Sequence, residues 1–173
     1  MEKRNLIKKS ILFVVGALLI GVSYLFVTTF FEKQHIKSEL AVLPTIPLRN
    51  LDNTPFYTKE LSGIKILVYI NTDCNICHEQ IEEFKKLNTA FPDLQIVAIS
   101  EQSIDELTAY QLSEPFFTNK NHYLTHDYTS QMYTHFDIES TPHLLIYNSN
   151  NELLKQQKGF IKAENLIKTL TVE

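Results

Sequence analysis

Cysteine is scarce. The 173 residues contain two, Cys74 and Cys77. Two cysteines cannot build the disulfide framework of a small secreted scaffold. If they pair, they pair with each other across two residues. So short a loop constrains the unfolded chain little, which makes structural stabilisation a poor reason for the pair. An excess of basic charge is also missing. Lys and Arg number 16 against 20 Asp and Glu, for a formal net charge of −4, and this argues against a nucleic-acid partner. There is no internal repeat and no low-complexity tract. Apolar content of 44% with 21% charged residues suits a globular protein with a real core.

Charge is absent altogether from one stretch. Ile11 to Phe31, ILFVVGALLIGVSYLFVTTFF, carries none. As a helix it spans roughly 31 Å at ~1.5 Å per residue, close to the ~30 Å thickness of the hydrocarbon layer. A cleaved signal sequence has a shorter apolar region, ending in a small-x-small site. Val27-Thr28-Thr29-Phe30 offers no such site, so the expectation is an uncleaved anchor. Lys3, Arg4, Lys8 and Lys9 precede it, and the positive-inside rule keeps that flank in the cytoplasm. The expected division is a basic cytoplasmic tail (1–10), a transmembrane anchor (11–31), a linker (32–45) and one domain (46–173). The chain then crosses the inner or plasma membrane once. Its domain faces the periplasm or the outer side of a single-membrane cell, where thiols can be oxidised.

After the span, Pro44 and Pro47 disfavour helix. A small hairpin is expected around Asp52-Asn53, then a short turn at Thr58–Leu61. Ile64–Ile70 is β-rich and almost wholly apolar, as a strand buried on both faces requires. NTDCNICHEQ follows. Ile76, Cys77, Ile81, Phe84 and Leu87 then recur near helical spacing, with charges mostly opposite. Leu94–Ile99 is a second buried strand, so the helix makes a βαβ crossover and a parallel pair. Ser103-Ile104-Asp105-Glu106 has the form of a capping box. Phe116-Phe117 and Tyr123-Leu124 read as short extended pieces, and Ser130–Phe136 as a short helix. Thr141-Pro142 leads into the strand 143–147, which pairs with 152–157 through an Asn-rich turn. Ala163–Leu170 is a closing helix. The fold class is α/β: a mixed central sheet flanked by helices, after one N-terminal transmembrane helix.

Three separated features carry a resemblance: strand–Cys74-Asn75-Ile76-Cys77–helix, Ser140-Thr141-Pro142-His143 entering a strand, and the lead-in LDNTPFYTKELSGIKILVYI. Together they resemble the thioredoxin-fold thiol-disulfide oxidoreductases, in particular the membrane-anchored TlpA/ResA-like branch. The resemblance covers roughly residues 46–172. It implies a redox-active Cys74–Cys77 disulfide, with Cys74 as the attacking thiol and Cys77 as the resolving one. It implies that Pro142 is cis beside the sulfurs and that Thr141 offers backbone bonds to an extended substrate. No organic cofactor is implied. The implied partners are extracytoplasmic protein thiols and disulfides, with electrons from a membrane or periplasmic donor; cytochrome c biogenesis is one setting the branch suggests.

Several positions depart from that family. Asp73 stands where an aromatic residue is usual, Ile70 where Trp is frequent, and Val68 where thioredoxins keep a buried acid. Asp73 beside Cys74 is expected to disfavour thiolate and so to shift the couple toward reductant. Three other chemistries use some of the same residue types. Cys74-Asn75-Ile76-Cys77-His78 also matches the attachment string of c-type haem, but such domains are usually helical. The preferred reading of His78 is a helix-surface residue that tunes the thiols. A peroxiredoxin wants Thr where Asn71 stands and Pro where Leu67 stands. Finally His122, His126, His135 and His143, with the cysteines, are similar to the donor set of Sco-type copper chaperones. Thiolate and imidazole suit copper, so Cys74, Cys77 and His143 form the alternative metal site.

Overall fold

The computed structural model describes residues 2–171, with side chains from Phe13 onward. The chain divides into two compact units, Met1–Ser38 and Glu39–Glu173. Helix α1 runs over Glu2–Leu40. Its stretch from Phe13 is long and apolar enough to cross a membrane, with mean hydropathy 2.1. Phe13, Ile20, Phe26 and Phe31 are all exposed. The basic side chains of the tail 1–10 lie outside those described.

The linker expected over 32–45 is only partly a linker. EKQHIKSEL has no helix breaker, and α1 continues through it to Leu40. Leu40 is buried and its carbonyl accepts a hydrogen bond from the Tyr147 hydroxyl at 3.1 Å. The helix end is therefore already part of the second unit. Extended chain begins only as Pro44 and Pro47 approach.

The second unit is built on a seven-stranded sheet. Its strands are β1 (Pro47–Arg49), β2 (Pro55–Tyr57), β3 (Lys65–Tyr69), β4 (Gln95–Ser100), β5 (His122–His126), β6 (His143–Tyr147) and β7 (Leu153–Lys158). They lie in the order β2-β1-β5-β4-β3-β6-β7. β3 pairs parallel with β4, and β4 with β5. β6 runs antiparallel to β3 and β7 antiparallel to β6. Every residue of β3 and of β6 is buried, which is why both are apolar after their first residues, Lys65 and His143. Helices α2 (Asn75–Lys85), α3 (Ile104–Ser113), α4 (Gln131–Thr134) and α5 (Ala163–Leu170) complete the unit. α3 opens with the capping box foreseen at Ser103 and Glu106.

Side chains alternate across the sheet, and the two faces are packed differently. Ile66, Val68, Ile70, Ile96, Ala98, Leu144 and Ile146 form one core with Cys77, Ile81 and Phe84 of α2 and Leu166 of α5. The alternate residues, among them Leu67, His143, Leu145 and Tyr147, face the other way. They are equally buried, on the side where Leu40 meets Tyr147. One local expectation fails. Phe116-Phe117 is not extended but lies in a 3-10 turn, Pro115–Thr118. Pro115 fits the first helical position, and the Glu114 carboxylate accepts from the Phe116 N–H.

A candidate dithiol active site at the end of the sheet

The register of β3 against β6 pairs Tyr69 with His143. The loop that leaves β3 therefore lies beside the loop that enters β6. This brings Cys74 and Thr141, 67 positions apart, to an Sγ–carbonyl distance of 3.9 Å. The Thr141–Pro142 peptide is cis, as expected. Gly159 closes the neighbouring turn at φ +77°, a conformation that favours glycine, and its N–H donates to the Pro142 carbonyl at 2.9 Å.

Cys74 is the N-cap of α2, in extended backbone at φ −89°, ψ 109°. Its sulfur takes the place of the usual capping oxygen and accepts the Cys77 N–H at 3.3 Å. Cys74 is half-buried, whereas Cys77, one turn along, is 1% exposed. Both are free thiols, so the dithiol form is the one described. The two thiols differ sharply. Burial alone would raise the Cys74 pKa. Hydrogen bonds from the Cys77 thiol, the Cys77 N–H, Thr141 and the Ile76 N–H outweigh it, and Cys74 lies below the ordinary cysteine value. Burial pushes the Cys77 thiol up to about 12, and its hydrogen bond to Cys74 adds to this.

Asp73 does not act as expected. It is exposed, its N–H donates to the Asn71 Oδ1 at 2.8 Å, and the net shift at Cys74 is downward. Asp73 is not among the groups that set the Cys74 shift, and the hydrogen bonds at the sulfur outweigh the burial of Cys74. His78 is exposed on the first turns of α2, the helix-surface position preferred for it. Its Nε2–H donates to the Thr72 carbonyl at 2.7 Å, and its ring stands edge-on to Tyr110 at 5.4 Å between centroids.

The four clustered histidines are dispersed by the fold. His143 is fully buried on the sheet face opposite Cys77, because its neighbour Leu144 occupies the Cys77 core. Its Nε2 lies 2.9 Å from the Gln156 amide. His122 stacks on Phe116 at 3.9 Å, and His135 lies 3.1 Å from the Glu39 carboxylate. The alternative copper set Cys74, Cys77 and His143 is thus not assembled. Among the described residues no three His, Cys, Asp or Glu side chains could hold a metal ion together.

Two features of the site have no signature in the sequence. Gln102, after β4, accepts the Thr72 N–H at 2.7 Å and donates to the Thr72 hydroxyl at 2.9 Å. A contact across 30 residues with no motif around it has no sequence signature. Beside it lies a groove of about 320 Å³, lined among others by Asn71, Gln102, Glu101, Tyr133, Glu139 and Thr141. It opens next to the Cys74 loop and the cis-proline loop.

No protein-family model matches the chain, and no curated protein sequence does. Solved structures do. StoA from Bacillus subtilis superposes with a TM-score of 0.58 at 16% identity, covering 75% of this chain and 98% of StoA. DsbF of Mycobacterium tuberculosis, solved in mixed oxidised and reduced forms, gives 0.62 at 14%, covering 73% and 93%. A thiol peroxidase from Chromobacterium violaceum gives 0.60 at 14%, covering 73% and 82%. The fold is that of thioredoxin-like redox proteins, disulfide oxidoreductases among them. Similarity at this level shows the fold, and the chemistry has to be argued from the site.

Proposed function

We propose that this chain is a membrane-anchored thiol-disulfide oxidoreductase that works outside the cytoplasm through Cys74 and Cys77. One observation carries the reading: a half-exposed sulfur caps α2 against the Thr141 carbonyl at 3.9 Å, while a buried second thiol lies one turn behind it. A structural cysteine pair needs neither the asymmetry in exposure nor the open groove alongside.

The steps balance as follows. The Cys74 thiolate attacks a client disulfide; one client sulfur leaves as thiolate and takes up a proton. Cys77 then loses its proton and attacks the Cys74 sulfur. The client's second sulfur leaves, and a Cys74–Cys77 disulfide remains. The client has gained two electrons and two protons. A membrane or periplasmic dithiol donor restores the pair. Reduction of extracytoplasmic client disulfides is the proposed direction, and apocytochrome c is a candidate client through the family resemblance alone. The support for this direction is the burial of Cys77 rather than Asp73. A thiolate so poorly stabilised is a poor leaving group and favours the disulfide of the pair, while the lowered Cys74 pKa works the other way, so the measured potential decides between them. The anchor is α1, with its basic end in the cytoplasm by the positive-inside rule. No organic cofactor or metal enters this scheme.

The test is the reduction potential of the full-length chain in detergent, equilibrated against dithiothreitol and glutathione. A reversible two-electron couple well below about −200 mV supports a reductase, whereas one near −120 mV reverses the direction. The absence of any reversible couple overturns the reading. Cys77→Ala is the control, and it should accumulate a mixed disulfide with client.

A further inference from the structure

The three residues before Cys74 make no periodic contact with the core, yet they are tied down from both sides. Thr72 is the centre. Its N–H and hydroxyl are held by the Gln102 amide at 2.7 and 2.9 Å, and its carbonyl by the His78 imidazole at 2.7 Å. Gln102 is oriented in turn by Ser100, whose hydroxyl donates to its Oε1 at 3.3 Å. His78 is braced edge-on by the Tyr110 ring, itself buried. The Asn71 carbonyl accepts the Cys74 N–H at 3.1 Å, and this closes the turn that carries the sulfur. All three polar groups of Thr72 are thus taken up, by one side chain from the β4–α3 loop and one from α2.

We propose that His78 and Gln102 are positioning residues that jointly clamp Thr72 and so hold the Cys74 sulfur in the capping position of α2. Neither touches the sulfur. Without the clamp, the 71–73 loop is free to turn. Cys74 then leaves the extended backbone that an N-cap requires, and the 3.3 Å bond from the Cys77 N–H lengthens. The thiolate loses a donor and becomes harder to form. The importance of this for turnover rests on the exchange reading above, but the state of the thiol does not.

The experiment follows alkylation of Cys74 against pH in the full-length chain in detergent, which requires no client. His78→Leu and Gln102→Leu should each move the midpoint upward and slow alkylation at neutral pH about fivefold, the size of a lost cap. His78→Gln keeps an N–H donor and should restore most of the rate. The double variant should be less than additive, because both side chains hold one residue. Wild-type profiles in both leucine variants overturn the proposal, as does a His78→Gln profile displaced as far as that of His78→Leu. Thr72→Ala removes only the hydroxyl and should give a smaller shift in the same direction. If the leucine variants fail to fold, an unshifted Thr72→Ala profile overturns the clamp. Shifted profiles with no exchange activity would instead retain the clamp and remove the oxidoreductase reading.

Discussion

The two faces of the sheet each bury a titratable side chain near the same end, and only one of them is placed to react. On the α2 face, Cys77 sits one helical turn behind a partly exposed partner and shares a hydrogen bond with it. On the opposite face His143, next to the cis-proline, is enclosed with Gln156 as its partner at 2.9 Å. Burial raises the pKa of the acid and lowers that of the base, so both stay neutral. The difference lies in access. Cys77 reaches solvent chemistry with the Cys74 thiol as its relay, whereas the exposed group bonded to His143 is the Gln156 amide, which forms no covalent bond and carries no titrating proton. A buried ionisable group is therefore an indicator of function only when the exposed group that shares its bond is itself reactive.

The largest test of this contrast removes the relay. Cys74→Ala should lower disulfide exchange by more than about 10³-fold, roughly 4 kcal/mol in barrier, in an insulin- or peptide-reduction assay. His143→Gln should leave exchange within about twofold. A His143 variant as inactive as Cys74→Ala would erase the distinction between the faces.

The second test uses pH. Burial, with the Lys158 charge as a smaller contribution, lowers the His143 pKa to about 4. The unfolded chain holds its proton up to the ordinary histidine value near ~6.5. Between these values the unfolded state binds more protons, so stability is full above ~6.5 and is lost as pH falls toward 4. The loss is up to about 3 kcal/mol. Denaturant melts from pH 7 to 4 should show it, and His143→Gln should flatten that part of the profile.

Third, the α2 face depends on one buried amide. Gln80 accepts the Ile161 N–H at 2.8 Å and donates to the Ile161 carbonyl at 3.2 Å, like a piece of sheet set on a helix. Gln80→Leu strands both backbone groups and should cost about 2 kcal/mol by chemical denaturation. The smallest effect is at the surface. Ser103→Ala removes the hydroxyl half of the capping box on α3 and leaves the backbone N–H that donates to Glu106; it should cost about 1 kcal/mol, with no change in the Cys74 pH profile.

Much of this architecture could be read from the residues. β3, β4 and β6 are apolar through their middles, with polar residues only at their ends, because both faces are covered, and that pattern is local. The Cys-x-x-Cys at a strand-to-helix junction and the Thr-Pro before β6 were likewise legible, because turn and cap chemistry is written in a few adjacent residues. The end of α1 was not. Only the burial of Leu40 and its bond to Tyr147 show that the helix reaches the second unit. The Asp73 argument failed for a related reason. Nearness in sequence says nothing about whether a carboxylate faces the sulfur or water.

The sequence alone determined the apolar span, the order of the central strands and helices, and the two sulfurs of the proposed dithiol. Each of these follows from short-range rules of hydropathy, periodicity and backbone preference. Tertiary structure alone decided that Thr141 faces Cys74, that His143 is turned away from it, and that Gln102 and His78 share Thr72. Those outcomes depend on strand register, where a shift of one residue exchanges the two faces, and on contacts between segments 30 to 67 residues apart.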